Sequence, residues 1–243
     1  MYRLVEDETQ RELLTAVDVD GFFVSSSADS TVITLIGTSS SPSTVPVLFE
    51  DVELQIWDVH SREIGSYYIG RVEITGINSR QTTHGQTDLE ATFFGYGKSY
   101  PYARAIWAQW VQETPRETGQ WKSLPAEAHR SWLHVAQQAW FRTGHKAEKQ
   151  GAGSVCEIEG ADLANIDSFY CALGEAVNGP GGYFGSNINA LADCLINSGA
   201  RKTAPFSLGW HDFEASRDRL GSQDFDEVVS VLGDFDIQIS PLP

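Results

Sequence analysis

The sequence is short of cysteine and of positive charge, and it has no long apolar run. Its three cysteines, Cys156, Cys171 and Cys194, are odd in number, and each falls within an apolar pattern rather than a paired spacing. That argues against a disulfide scaffold and predicts reduced, buried thiols. No run approaches the ~20 apolar residues of a membrane helix. Met1 to Glu8 lacks the apolar stretch of a signal peptide, so a cytoplasmic protein that meets no membrane is expected. Lysine and arginine total 17 against 33 acidic residues. The acid is unevenly placed: residues 151–243 hold 14 acidic and 4 basic residues, a net −10, whereas residues 1–150 hold 19 and 13, a net −6. This balance argues against direct binding of nucleic acid, whose phosphates need a basic surface, and favours a basic protein partner.

Catalytic apparatus is missing as well. His60, His84, His129, His134, His145 and His211 are scattered, and the five-residue step from His129 to His134 does not align two ligands on one helix face. There is no phosphate-cradling glycine motif, nucleophile elbow or Cys-x-x-Cys. Paired acids such as Asp224 and Asp226 read as solvated charge. No enzyme, metal or cofactor is expected.

What is present divides in two. Residues 1 to about 98 carry β-branched and alternating runs: Thr31–Ile36, Val52–Trp57, Tyr67–Thr75 and Glu90–Tyr96, with serine-rich Gly37–Thr44 and polar Asn78–Thr87 as loops. A small sandwich or barrel follows from that pattern. Ala103, Ile106, Trp107, Trp110 and Val111 then share a helical face. A second helix opens near Pro125, with Trp132, Val135, Ala136, Ala139 and Trp140 in register. Gly144–Gly153 is polar and glycine-rich, as linkers are. The expected organisation is a β-rich domain with two appended helices over residues 1–144, a linker over 145–153 and a second domain over 154–243.

The second domain centres on Pro180–Leu195, a glycine-rich loop opening into a short helix. Ser186 or Asn187 can cap that helix. Ile188, Leu191 and Leu195 form its apolar stripe, and Asn189 and Asp193, four apart, stand together on another face. Tyr183, Phe184 and Gly185 precede it, where large rings beside a permissive backbone suit a binding surface.

This stretch resembles the signature of the barstar family, intracellular inhibitors of secreted microbial ribonucleases, with one extra glycine after Pro180. The resemblance continues through Val155–Gly160, Ile166–Leu173, Pro205–Ser216, Phe225–Leu232 and Ile237–Ser240. It covers about the last ninety residues and implies an α/β domain with helices packed on a small parallel sheet, α+β for the chain as a whole. It also implies a role as an immunity protein that plugs a basic ribonuclease site with an acidic helix and loop. On this resemblance the partner-binding residues are Tyr183, Phe184, Gly185, Asn187, Asn189 and Asp193. Asp234, or Asp236 if the alignment slips, completes the set. Asp193 takes the place of the family's hot-spot aspartate. Asn189 stands where the best-known member has a second aspartate, and Ala192 where it has a tryptophan, which leaves the target open. A scaffold or regulatory protein binding a basic partner, or immunity to a different toxin, is the alternative.

Overall fold

The computed structural model describes residues 1–25, 32–78, 87–95, 97–150, 155–200 and 204–242. Thr31, Tyr96, most of the loop expected over 78–87 with its His84, and residues 151–153 of the expected linker lie outside these. The chain forms two compact units, Met1–Thr114 and Pro115–Pro243.

The first unit is one antiparallel sheet of seven strands: β1 (Tyr2–Glu6), β2 (Glu12–Ala16), β3 (Asp18–Asp20), β4 (Val32–Thr38), β5 (Val47–Trp57), β6 (Glu63–Asn78) and β7 (Thr87–Phe93), in the order β2-β1-β5-β6-β7-β4-β3. Its two edge strands are joined through the single residue Val17, so the sheet must curl until its ends meet. They do meet, Val17 N–H donating to Ile36 C=O at 2.9 Å and Ser39 N–H to Thr15 C=O at 3.4 Å. Register shifts between Phe49 and Val52 on β5 supply some of the bend. Helix α1 (Ala103–Gln112) buries the predicted stripe, and Trp107 donates to Tyr67 Oη at 3.0 Å. The strand at Val52–Trp57 departs from its half-buried pattern. Glu53 and Gln55 are buried too, because Gln55 donates to both Glu53 and Gln10 at 2.8 and 2.9 Å.

The second unit holds a three-stranded parallel sheet, β10-β9-β8, made of β8 (Val155–Glu159), β9 (Ser207–His211) and β10 (Ile239–Leu242). Around it run α2 (His129–Arg142), α3 (Ile166–Asn178), α4 (Ile188–Asn197), α5 (Phe213–Leu220) and α6 (Ser222–Asp234). The central strand β9 is buried on both faces, whereas β8 alternates between buried and exposed residues, and the apolar stripes of the helices cover the buried side. Trp210 of β9, fully buried, stacks on Phe169 at 5.2 Å and donates to Ser216 Oγ at 2.9 Å. The three cysteines are free and buried, as their apolar settings predict. Burial raises the Cys194 thiol to about 12, out of reach of thiolate chemistry.

The second predicted helix belongs to this unit and not to the β-rich one. Periodicity identified the buried face of α2 but not its neighbour, which is α3. The Cys171 thiol donates to His129 C=O at 3.7 Å, and Asn165 Nδ2 to Ala126 C=O at 2.9 Å. The compact units thus divide at Thr114, ahead of the expected linker. Among the described residues, no helix is long and apolar enough to cross a membrane.

Candidate partner-binding site

Helix α4 begins where Asn187 accepts a hydrogen bond from Ala190 N–H at 3.0 Å, so the cap is Asn187 and not Ser186. Leu191, Cys194 and Leu195 face the interior, while Ile188 is half-buried. On the opposite side Asn189 and Asp193 are exposed, one helical turn apart. No hydrogen bond within the described chain engages the Asp193 carboxylate. Residues 155–200 contain six acids and no Lys, Arg or His, so the helix sits in a purely negative stretch of sequence.

The loop before α4 is fixed by close backbone approach. Gly185 has φ +99°, and a Cβ there would lie 2.8 Å from both N and Cα of Leu191. Gly182 lies flat on α3, where a Cβ at Gly174 would meet its carbonyl at 2.4 Å. Asn178 Nδ2 donates to Tyr183 C=O at 2.8 Å. Because the atoms opposing Gly185 are backbone, they cannot yield. Gly185→Ala is expected to cost about 2 kcal/mol or more of stability, read by urea unfolding.

Tyr183 and Phe184 are where the surface reading needs correction. Both rings are buried, at 2% and 0% exposure. Phe184 packs edge-on against Phe206 at 5.6 Å. Tyr183 lies under α2: Phe141 meets its ring at 5.4 Å, and Gln137 Nε2 donates to its hydroxyl at 3.2 Å. Burial is the main cause of its raised phenol pKa. The rings support the loop from within and are not on its face, and Gly185 is buried with them. No sequence pattern told these aromatics from surface ones, since Tyr183 is covered from about forty residues upstream and Phe184 meets Phe206 from downstream.

Glu175 of α3, which sequence reasoning passed over, braces the loop before α4. It is buried and ties two segments together. One oxygen accepts from Gly119 N–H at 2.6 Å and Trp121 Nε1 at 3.0 Å, and the other from Gly181 N–H at 3.0 Å in the loop before α4. The segment ahead of β8 is therefore bound into the unit through Glu175, Asn165, Cys171 and Tyr183. A chain trimmed to residues 153–243 is expected to unfold at a lower urea concentration than one spanning 115–243, since it would expose all four contacts.

Asp234 is exposed at the C-terminal end of α6. The other end of that helix is the one beside Asn189, sharing with it a cleft lined by Asp224 and Glu227. From Asp224 to Asp234 is ten residues, roughly 15 Å along the axis. Asn187, Asn189 and Asp193 thus form one exposed group, and Asp234 stands apart from the cleft.

A three-stranded parallel sheet packed by helices, with a capped and polar α4 at its surface, is the architecture of the second unit. Residues 153–240 match the family model described as Barstar (barnase inhibitor), and the N-terminal region matches no family model. No curated protein and no solved structure matches the chain. The match is confined to the C-terminal segment and supports an inhibitor-like protein-binding role for it.

Proposed function

We propose that the unit formed by residues 115–243 neutralises a basic ribonuclease inside the cell that makes both, acting as a binding protein and not as an enzyme. The observation that carries this is the exposed Asn189–Asp193 face of α4, held by the Asn187 cap and the Gly185 approach within a stretch devoid of cations. A ribonuclease must hold an anionic phosphate, so its site is lined with Arg, Lys and His. A carboxylate set where the phosphate would sit accepts charge-assisted hydrogen bonds from those cations, bidentate from Arg. Opposite fields also speed the encounter, an effect that fades as salt rises. Asn189 offers hydrogen bonding without charge, so Asp193 is the principal anion of this helix. The β-rich first unit is assigned no part in this contact.

The test is capture from lysate and culture medium of the source organism with the full chain, followed by RNA-cleavage assays of each captured protein. Recovery of a basic ribonuclease that loses activity in proportion to added protein supports the reading. Capture only of proteins that retain full activity when bound points instead to a scaffold or regulatory role.

A further inference from the structure

Among its described residues the second unit exposes three large apolar side chains, Phe141, Val155 and Ile196, and two of them border the polar face of α4. Ile196 lies on α4 itself, three residues past Asp193 and so on the adjoining strip of its surface. Phe141 comes from α2. Its ring is 42% exposed and meets Tyr183 at 5.4 Å, in the loop that opens into α4. The Tyr183 hydroxyl lies 3.4 Å from Ser186 Oγ, one residue before the Asn187 cap. Burial leads the causes of the raised Tyr183 pKa and the charge of Asp193 is among the others, so Phe141 and Asp193 border the same phenol.

The chain beyond Phe141 keeps to this side of the unit. Trp140 Nε1 donates to Lys146 C=O at 2.7 Å, and Lys149 N–H donates to Ser198 Oγ at 2.8 Å, just past the end of α4. Asn178 Nδ2 donates both to Glu148 C=O at 3.2 Å and to Tyr183 C=O at 2.8 Å. Residues 141–149 thus run beside α4 from the Tyr183 loop to Ser198. A protein that settles on Asp193 meets Phe141 as well.

We infer that Phe141 is an aromatic contact for the basic protein partner, seated on the apolar surface with which a ribonuclease receives a nucleobase beside its phosphate site. The inference rests on the reading above for the identity of the partner. It adds a contact from outside residues 153–240, the segment that matches the family model. Tyr183 is buried under α2, so the ring that its loop does not offer is offered by the helix that covers it. Proteins that hold single-stranded RNA stack its bases on flat side chains. A carboxylate and a ring that border one phenol present an anion beside a flat apolar body, as a nucleotide does. Moving such a ring out of water buries a large area at the entropic cost of only two torsions. Ile196 adds apolar surface that would help keep water from the carboxylate.

The test is titration calorimetry of barnase, and of each ribonuclease recovered by capture, with the full chain and its variants, whose folding is checked by urea unfolding. Phe141→Ala is expected to weaken binding at least about tenfold, and Phe141→Trp to restore most of it. Gln137→Ala is the control for an indirect effect through the loop. It removes the hydrogen bond from α2 to Tyr183 without touching the exposed ring, and affinity is expected to be unchanged. A saturating nucleoside without phosphate is expected to weaken binding of the wild-type chain more than that of Phe141→Ala. Equal affinity for wild type and Phe141→Ala, an equal loss in Gln137→Ala, or indifference to the nucleoside would overturn the contact. Weakened binding by Asp193→Ala beside unchanged binding by Phe141→Ala would strike this inference and leave the inhibitor reading standing. Failure of every ribonuclease to bind the wild-type chain would remove both.

Discussion

Asp193→Ala is expected to weaken capture of the target ribonuclease at least thirtyfold, with no measurable change in the stability of the chain. The two halves of this expectation come from different observations. The side chain is exposed and no hydrogen bond among the described residues engages it, so removing it is expected to leave the fold's stability unchanged. In the proposed complex it would lie in a desolvated interface, and its loss would strand the cations it neutralised. A central hot-spot residue of that kind is worth at least about 2 kcal/mol, which is the thirtyfold quoted. Titration calorimetry beside urea unfolding separates the two halves. Asn187→Ala should behave differently: it removes a helix cap and should cost about 1 kcal/mol of stability. Equal affinity for the wild-type and Asp193→Ala chains would remove Asp193 from the account.

Glu175→Ala has the largest expected effect on the fold. It would leave the buried Trp121 Nε1 and the half-buried Gly119 and Gly181 N–H groups without their acceptor. Each orphaned donor costs roughly 1–3 kcal/mol, so a loss of about 3 kcal/mol or more is expected in urea unfolding. Glu175→Gln should fall between, since one oxygen remains for at most two of the three donors. The group also gives stability a pH dependence of defined sign. Burial, the leading cause, raises the Glu175 pKa above its ordinary value of 4.5, against the hydrogen bonds that lower it. Between the unfolded value and the raised folded one, the native state keeps a proton that the unfolded chain has lost. Its contribution to stability therefore falls as pH rises through that window. Glu175→Gln should remove this component of the slope, and an unchanged slope would show that Glu175 does not titrate as described.

The segment that matches the Barstar model was largely legible because its elements announce themselves locally. Val155–Glu159, Ile166–Asn178, Ile188–Asn197 and Ser222–Asp234 each have an apolar period that survives in the buried residues. The site was legible only in part. Asn189 and Asp193 fall on an exposed face because a helix fixes where residues four apart point. Tyr183 and Phe184 sit in a loop, where no period says which way a ring turns, and α2 covers Tyr183 from upstream. Glu175 carried no signal either, since a lone acid within a helix looks solvated until its three donors arrive from elsewhere in the fold. The same limit misassigned α2, whose stripe was right and whose neighbour was not. In the β-rich unit, Val52–Trp57 alternated as a half-buried strand should, and only the Gln10–Gln55–Glu53 bonds reveal that its polar side is closed too.

The most direct measurement is an RNA-cleavage titration of barnase, and of any basic ribonuclease recovered by capture, with the full chain at fixed enzyme concentration. The expected result is activity that falls linearly and vanishes at one equivalent for at least one of these enzymes, with the Asp193→Ala chain requiring a large excess. Undiminished cleavage at excess protein for every basic ribonuclease tried, or stable binding with the active site still open to RNA, would contradict the inhibitor account.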